Sequence, residues 1–208
     1  MGCGTGSHSH LLNIKGFKCL GFDLNPTMVD YARSHYKENE FILGDMREVN
    51  SSSLGKRFDM VTCMTTTFPY NISNGEASVA LSNFYDLLNP GGVLIIDNFN
   101  PIVFLQAYEF KGSFFPEDEK DYRQLGLKLS VEHSISERDQ TLIERKRIYD
   151  LNDSLLADDV THYRLFFPQE FSYFLSQAGF SNILMNSNLN INDTSLKHIE
   201  FTTIAYKK

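Results

Sequence analysis

The sequence predicts an α/β fold: a largely parallel sheet with helices on both faces, an antiparallel β insertion, and a C-terminal antiparallel β-hairpin. Three observations carry this. As far as Asn100, short apolar runs alternate with segments of helical periodicity, the pattern of strands joined by crossover helices. From Leu127 onward, two stretches alternate apolar and polar residues on either side of Glu137-Arg138-Asp139-Gln140, as half-buried antiparallel strands do. The chain also opens on Gly2-Cys3-Gly4-Thr5-Gly6, a run whose missing Cβ atoms let backbone turn tightly and approach a ligand.

The glycine run leads into a short helix from Ser7 to about Lys15, stopped by Gly16. Phe17 to Asp23 is a brief apolar run ending in an acid and suits a buried strand. Asn25 can cap, and Pro26 can open, a helix through about Tyr36. Glu40 to Leu43 reads as a second strand closed by Gly44-Asp45, and the Ser-rich stretch from Asn50 to Gly55 as a surface loop. Phe58 to Met64 is a third strand. Glu76 to Leu88 is a helix with apolar residues at 77, 80, 81, 84, 87 and 88. Asn89-Pro90-Gly91-Gly92 is a stop signal, followed by a fourth strand, Val93 to Ile96, ending at Asp97-Asn98. Leu127 to Ser136 and Thr141 to Leu151 form a hairpin, with Val160 to Phe167 as a third strand of the same insertion. Pro168 to Ala178 is a helix stopped by Gly179. Phe180 to Met185 and His198 to Tyr206 are the closing hairpin, joined by an Asn-rich stretch at 186–193. The expected division is 1–100 for an α/β half, 101–167 for the insertion, and 168–208 for elements that complete the sheet.

Composition narrows the function classes. At 208 residues, 42% hydrophobic and 22% charged, the chain has the mixture of one globular domain with an insertion rather than of a disordered chain. A net charge of −7 argues against nucleic-acid binding, which rests on Lys and Arg. The one basic run, Arg145-Lys146-Arg147, fits either a solvated sheet face or a partner patch. Cys3, Cys19 and Cys63 are odd in number with no Cys-x-x-Cys pair, as for reduced thiols in the cytoplasm. His8 and His10 would need an outside partner to hold zinc, so no metal is expected. No apolar run approaches ~18 residues and none resembles a signal peptide, so the expectation is a cytoplasmic protein that does not enter membranes.

The residues that carry chemistry lie at strand ends. Asp23 closes the strand after the glycine run, where a carboxylate can accept hydrogen bonds from both ribose hydroxyls; a solvated acid or a cap beside Asn25 fits that position equally. Asp45 closes the next strand. Met28, one helical turn past Asp23, packs either on a flat base or in the core. With these, in one order, stand Gly21-Phe22-Asp23-Leu24-Asn25-Pro26-Thr27-Met28, Leu43-Gly44-Asp45-Met46, Phe58-Asp59-Met60-Val61 and Leu88-Asn89-Pro90-Gly91-Gly92-Val93. On these motifs the chain resembles, over nearly its whole length, the class I S-adenosylmethionine-dependent methyltransferases with their Rossmann-like sheet. The nearest competitor is a nicotinamide-dependent oxidoreductase. Its Gly-x-Gly-x-x-Gly fingerprint would place the third glycine where Ser7 stands, and it has no need of the Gly44-Asp45 pair.

The resemblance implies S-adenosyl-L-methionine as cofactor. Gly2, Cys3, Gly4 and Gly6 would hold its methionine and ribose end, with Asp23 on the ribose and Leu24 beside it. Asp45 would bond the adenine amine, with the Met46 backbone N–H at the ring edge and Met28 over one face. Thr65, in the segment running to Tyr70, would lie beside the transferable methyl. Cys63 to Tyr70 and His162 to Phe171 look similar to small-molecule enzymes, notably aminosugar N-methyltransferases, whose antiparallel insertion covers the acceptor and contributes dimer contacts. The implied partners are a small polar acceptor such as an amine, and a second copy bound through residues 101–167. In-line positioning would supply on the order of 7–11 kcal/mol, and a base would take the acceptor proton. Tyr70, Asp97, His133, His162 and Tyr163 are the candidates. His162 ranks first because an imidazole as a side-chain type changes charge near neutral pH, although a lone strand histidine also serves structure. Arg164 fits an acidic acceptor or an ion pair with a carboxylate.

In that family a strand ending in an acid precedes the glycine loop and lies mid-sheet, between the strands here at 17–23 and 58–64. Met1 holds the position between that acid and Gly2, so the acid has no counterpart and the first, central strand is missing from the sequence. Its removal would leave a gap of nearly ~10 Å, with unpaired backbone groups costing roughly 1–3 kcal/mol each. Three outcomes are open: a start assigned inside a longer chain, which the motifs favour, a sheet that closes up, or a strand donated by another chain. For these 208 residues the expectation is low stability and weak cofactor binding. The alternative function is a truncated, catalytically inactive binding or assembly module.

Overall fold

In a computed structural model, which describes residues 1–106 and 122–208, the glycine run enters helix α1 (Ser7–Ile14) with Gly6 at φ 86°. Strands β1 (Leu20–Asp23) and β2 (Glu40–Leu43) pair in parallel, Leu20 opposite Glu40 and Asp23 opposite Leu43. Helix α2 (Pro26–His35) makes the crossover. Its N-cap Asn25 accepts the N–H of Thr27 at 2.9 Å and of Met28 at 3.4 Å, satisfying donors that the helix start leaves free. Val29 and Ala32 of α2 bury against Phe41.

A second sheet contains β3 (Phe58–Cys63), β4 (Leu88–Phe99), β8 (Phe180–Ser187) and β9 (Glu200–Lys207) in the order β3-β4-β9-β8. β3 and β4 are parallel, and β9 runs antiparallel to both β4 and β8. Helix α4 (Asn74–Leu87) connects β3 to β4 and starts in a reciprocal capping box between Ser73 and Glu76. It buries Ala77, Ala80, Leu81, Phe84 and Leu87. These pack with Phe171 and Leu175 of α6 (Pro168–Gln177) and with Leu94, Ile96 and Phe201 of the sheet to form the main core. After α5 (Pro101–Gln106), β5 (Lys128–Ser136), β6 (Thr141–Tyr149) and β7 (Leu155–Arg164) form a separate antiparallel sheet in that order. Leu142 and Leu165 join it to Phe99 and Phe104. Residues 107–121 of the expected insertion lie outside the described residues.

Several boundaries differ from the sequence reading for local reasons. Residues 51–54 form a helical turn, α3 (Ser51–Leu54), instead of a loop: Asn50 and Ser53 cap one another and Gly55 closes it at φ 65°. The Asn89–Gly92 stop signal does not separate α4 from the fourth strand by a loop. Phe58 pairs with Leu88 and Met60 already with Val93, so the turn residues bulge out of one long β4. β1 begins at Leu20 because the Phe17 N–H turns back to the Leu12 carbonyl at 3.1 Å. β7 begins at Leu155, well before Val160. The basic run divides by strand alternation. Arg145 pairs with Asp158 and Arg147 with Glu132 on one face, while Lys146 reaches Glu144 on the other. That is the solvated-face reading.

Two sheets stand where a continuous one would have a central strand: β1 and β3 do not pair. Residues 1–3 cross the seam. The Met1 nitrogen donates to the Thr62 carbonyl at 2.8 Å and the Cys3 N–H to the Phe22 carbonyl at 2.9 Å. The sheet has not closed up.

Candidate functional site

The seam opens into a cavity of about 960 Å³ at the carboxyl ends of the parallel strands, where open α/β sheets bind ligands. Asp23, from the end of β1, organises one wall. Its Oδ2 accepts the Gly4 N–H at 2.7 Å and its Oδ1 the Asn25 N–H at 2.9 Å, so it fixes the glycine loop to the start of α2 while its remaining lone pairs stay open to the cavity. Gly2, Cys3, Gly4, Asp23, Leu24 and Met28 all line the hollow, as do Asp45, Met46, Thr65 and Tyr70. Gly6 does not line it; that residue is buried behind the loop.

Asp45, at the end of β2, has a partner that the sequence reading left out. Arg47 wraps its carboxylate. The Arg47 N–H and Nε donate to Oδ1 at 2.8 and 2.9 Å, and Nη2 reaches Oδ2 at 2.5 Å. Arg47 Nη1 continues to Glu76 of α4 at 2.7 Å. The hydrogen bond from Arg47 holds the Asp45 carboxyl below its ordinary range, and the backbone and hydroxyl of Ser73, with Arg47, do the same for Glu76. Asp45 is therefore a fixed anion on the cavity wall that accepts a bidentate guanidinium. Nothing in residue spacing marks this pairing beyond an arginine two positions after the acid.

The other wall comes from the segment after β3. Asn71 is buried and donates through Nδ2 to the Phe68 carbonyl at 2.8 Å and to Met46 Sδ at 3.1 Å, tying the two walls together. Tyr70 stands at the rim against Tyr163 of β7, ring centroids 5.1 Å and hydroxyls 3.4 Å apart. Tyr163 packs edge-on against Phe99. Burial, then the Tyr70 hydroxyl and the Glu144 charge, push the Tyr163 phenol well above its usual pKa, so it stays neutral. Behind it, Glu144 is 6% exposed and meets His133 at 2.9 Å and Lys146 at 3.2 Å. Burial raises the Glu144 pKa, but the His133 hydrogen bond and the lysine outweigh it, and the group stays ionised.

Alternation along β7 separates the remaining candidates. Tyr163 faces the core and reaches Tyr70, while His162 is exposed on the opposite face, so the structure does not bring it to Tyr70; neither is among the cavity residues. Asp97 is buried, and both its oxygens accept backbone N–H groups, those of Thr65 and Thr66; it does not stand free as a base. Arg164 pairs with Glu170 at 2.7 Å, the ion-pair reading. Arg47 and Asn71 also line the cavity and had no place in the sequence reading, because only the fold brings them to the motif residues; Ser7, His8 and Thr67 line it too, though none of the three carries a cofactor role of its own in that reading. Among the described residues, no His, Cys, Asp and Glu cluster could hold a metal, and no helix is long and apolar enough to cross a membrane.

S-adenosylmethionine fits this donor set. A Cβ built on Gly4, at φ 51°, meets no protein atom within 4 Å; because Gly4 lines the cavity, that Cβ would stand in space a ligand could use. Asp23 offers acceptors at a strand end, and Met28, 39% exposed, an apolar surface. The volume lies within the ~300–1,000 Å³ of small-molecule sites.

Comparison with known proteins agrees. Residues 1–92 match the family described as "Methyltransferase domain". The chain is 26% identical over 190 residues to YqeM of Bacillus subtilis (strain 168), a methyltransferase by name, covering 86% of this chain and 71% of that one. It is 30% identical over 95 residues to the dTDP-3-amino-3,4,6-trideoxy-alpha-D-glucopyranose N,N-dimethyltransferase of Streptomyces venezuelae, but spans only 39% of that protein and 46% of its own length. The S-adenosylmethionine-dependent methyltransferase of Clostridium acetobutylicum ATCC 824 superposes with a TM-score of 0.79 at 16% identity, covering 99% of this chain and 81% of the other, which supports the fold. With the glycine loop, Asp23 and Asp45 gathered at one cavity inside residues 1–92, that segment is similar to a methyltransferase domain, and the whole chain shares the fold of S-adenosylmethionine-dependent methyltransferases.

Proposed function

We propose that the protein transfers a methyl group to the amine nitrogen of a small polar acceptor. The observation that carries this reading is the rim of the cavity, where Tyr70 meets Tyr163 of the antiparallel sheet, with the similarity to an aminosugar N,N-dimethyltransferase as support. When bound, the cofactor supplies an electrophilic sulfonium methyl. The glycine loop and Asp23 would hold the ribose end, Met28 and the Met46 backbone the base, and Thr65 the reactive end. Because Tyr163 stays neutral, the two phenols would act as dipoles that aim the lone pair of an unprotonated amine along the displacement line, and the proton would leave to solvent water. Positioning of this kind carries most of the burden in such a reaction.

Incubation with methyl-labelled S-adenosylmethionine and a panel of aminosugars, small amino acids and hydroxyl-bearing analogues tests the reading. Label on an amine supports it. Label only on hydroxyl analogues, or none on any acceptor while the cofactor binds, overturns it. A second reading, a cofactor-binding module without turnover, draws on the unpaired seam between β1 and β3 and would give binding with no labelled product.

A further inference from the structure

Two consecutive threonines at the cavity wall hold left-handed backbone, Thr65 at φ 62° and Thr66 at φ 49°. For β-branched residues this is an outlier conformation that their own side chains oppose, and one that persists only where the surroundings impose it. One side chain holds both turn amides. Asp97, near the end of β4 and 7% exposed, accepts the Thr65 N–H on Oδ2 at 2.7 Å and the Thr66 N–H on Oδ1 at 2.6 Å. Successive backbone N–H groups converging on one anion make a concave donor pair, and bonds to a charged acceptor are the stronger kind. Thr67 closes the turn with Oγ1 on the Met64 carbonyl at 2.8 Å. Its methyl then stands 2.3 Å from where a Cβ on Gly2 would be, so the turn and the glycine loop are in direct contact. Thr65 and Thr67 line the cavity; Asp97 does not. Whatever Asp97 does for the cavity, it does through the turn.

We propose that Asp97 is a positioning residue for the methyl-transfer site: its carboxylate clamps the Thr65–Thr66 turn in a left-handed form and so fixes the wall between the glycine loop and Tyr70. The link from clamp to cofactor affinity rests on the proposed cofactor site, whereas the clamp itself does not. The clamp accounts for a carboxylate at a buried position, where its desolvation is costly, and for threonines at positive φ, where glycines would be expected.

The test uses Asp97→Asn, which keeps the size but sets an N–H₂ group against one of the two backbone donors, alone and combined with Thr66→Gly, which adopts positive φ unaided. Two measurements are made on the full chain: calorimetric titration with S-adenosylhomocysteine, and the amide proton shifts of Thr65 and Thr66. Asp97→Asn moves both amide resonances upfield and weakens binding about 10- to 100-fold, the range set by one or two strained residues. Adding Thr66→Gly restores at least a large part of that loss. A general loss of packing would not be repaired by removing a buried side chain, so rescue separates positioning from mere structural support. Unchanged amide shifts in Asp97→Asn overturn the proposal, and so does a loss of affinity that Thr66→Gly leaves in place. Should Asp97→Asn fail to fold, recovery of a folded spectrum on adding Thr66→Gly supports the clamp, and no recovery overturns it. If the unmodified chain does not bind S-adenosylhomocysteine, the cofactor reading falls, and the amide shifts with the thermal midpoints of the two variants decide the clamp by themselves.

Discussion

Gly4 and Gly6 belong to one sequence run, but the structure gives them different work, and exchanging each for alanine separates the two tasks. Both hold left-handed backbone, at φ 51° and 86°, so either alanine incurs the ordinary cost for an L-residue there, about 1–2 kcal/mol. At Gly4 little more is added, because the new methyl meets no protein atom within 4 Å. At Gly6 it would stand 2.6 Å from Phe41 Cζ and 2.9 Å from Ala32 Cβ, both buried, and overpacking adds about 1–3 kcal/mol. Gly6→Ala should therefore cost about 2–5 kcal/mol in all, a large share of a typical domain's stability. Binding should show the reverse order. The Gly4 methyl enters the cavity and should weaken S-adenosylhomocysteine by about tenfold or more, equivalent to 1.4 kcal/mol, whereas folded Gly6→Ala keeps most of its affinity. Urea denaturation supplies the first number and calorimetric titration the second. Equal destabilisation by the two alanines, or undiminished affinity in Gly4→Ala, would refute the division of labour.

Arg47→Met should lower stability at pH 7 by about 1–2 kcal/mol, mostly from Asp45 losing its partner, with the more exposed Glu76 contact discounted. Both carboxyls have depressed pKa values, so their contribution is present above the ordinary carboxylate range and lost as pH falls through the folded values. Urea midpoints of wild type and variant should thus converge as pH falls below the ordinary carboxylate range; a constant gap would count against the triad. Glu144→Ala removes the buried acceptor that His133 meets at 2.9 Å and should cost about 1–3 kcal/mol, read from thermal unfolding, with Glu144→Gln costing less. Amide exchange should be faster on the facing edges of β1 and β3 than along the β4–β9 ladder, because among the described residues no strand pairs with either edge; uniform protection across the four strands would exclude an open seam.

How much of this was legible in sequence depends on the range of the force involved. Element types came through because apolar period and turn chemistry are local: Asn25-Pro26, the apolar spacing from 77 to 88 and the period-2 run at 141–149 all act within a few residues. The Asp23 and Asp45 strand ends were visible for the same reason. Asn50–Gly55 was misread because serines favour caps as well as loops, and only the reciprocal Asn50–Ser53 bonds decide between them. Asn89–Gly92 was read as a stop because proline and glycine usually are one, yet a parallel neighbour can carry a strand past a bulge. The Asp97 turn and the Arg47 wrap were out of reach in principle, the first spanning 32 and 31 residues and the second involving side-chain conformation. His162 shows the limit of ranking by pKa: strand parity, not basicity, decides which of two adjacent residues faces the core.

The cavity and the seam are one feature seen from two sides. Asp23 and Asp45 stand on the β1–β2 half, and Thr65 and Tyr70 on the half built around β3 and β4. The two halves share no ladder, and α4 does much of the joining. Arg47 reaches Glu76 at 2.7 Å, Asn83 donates to the Met46 carbonyl at 3.1 Å, and the Ser51 N–H meets Asp86 at 2.7 Å. These are side-chain ties, more easily broken than the dense hydrogen bonding of a sheet. A ligand touching both walls binds only while they are in register, so its apparent affinity falls by the fraction of time that they are not. Low stability across the seam and weak cofactor binding are consequently a single expectation. The same linkage means that bound ligand stabilises the chain by RT ln(1 + [L]/Kd) wherever it sits. The size of a thermal shift therefore cannot reveal bridging; only where the added protection falls, on one wall or on both, can do that.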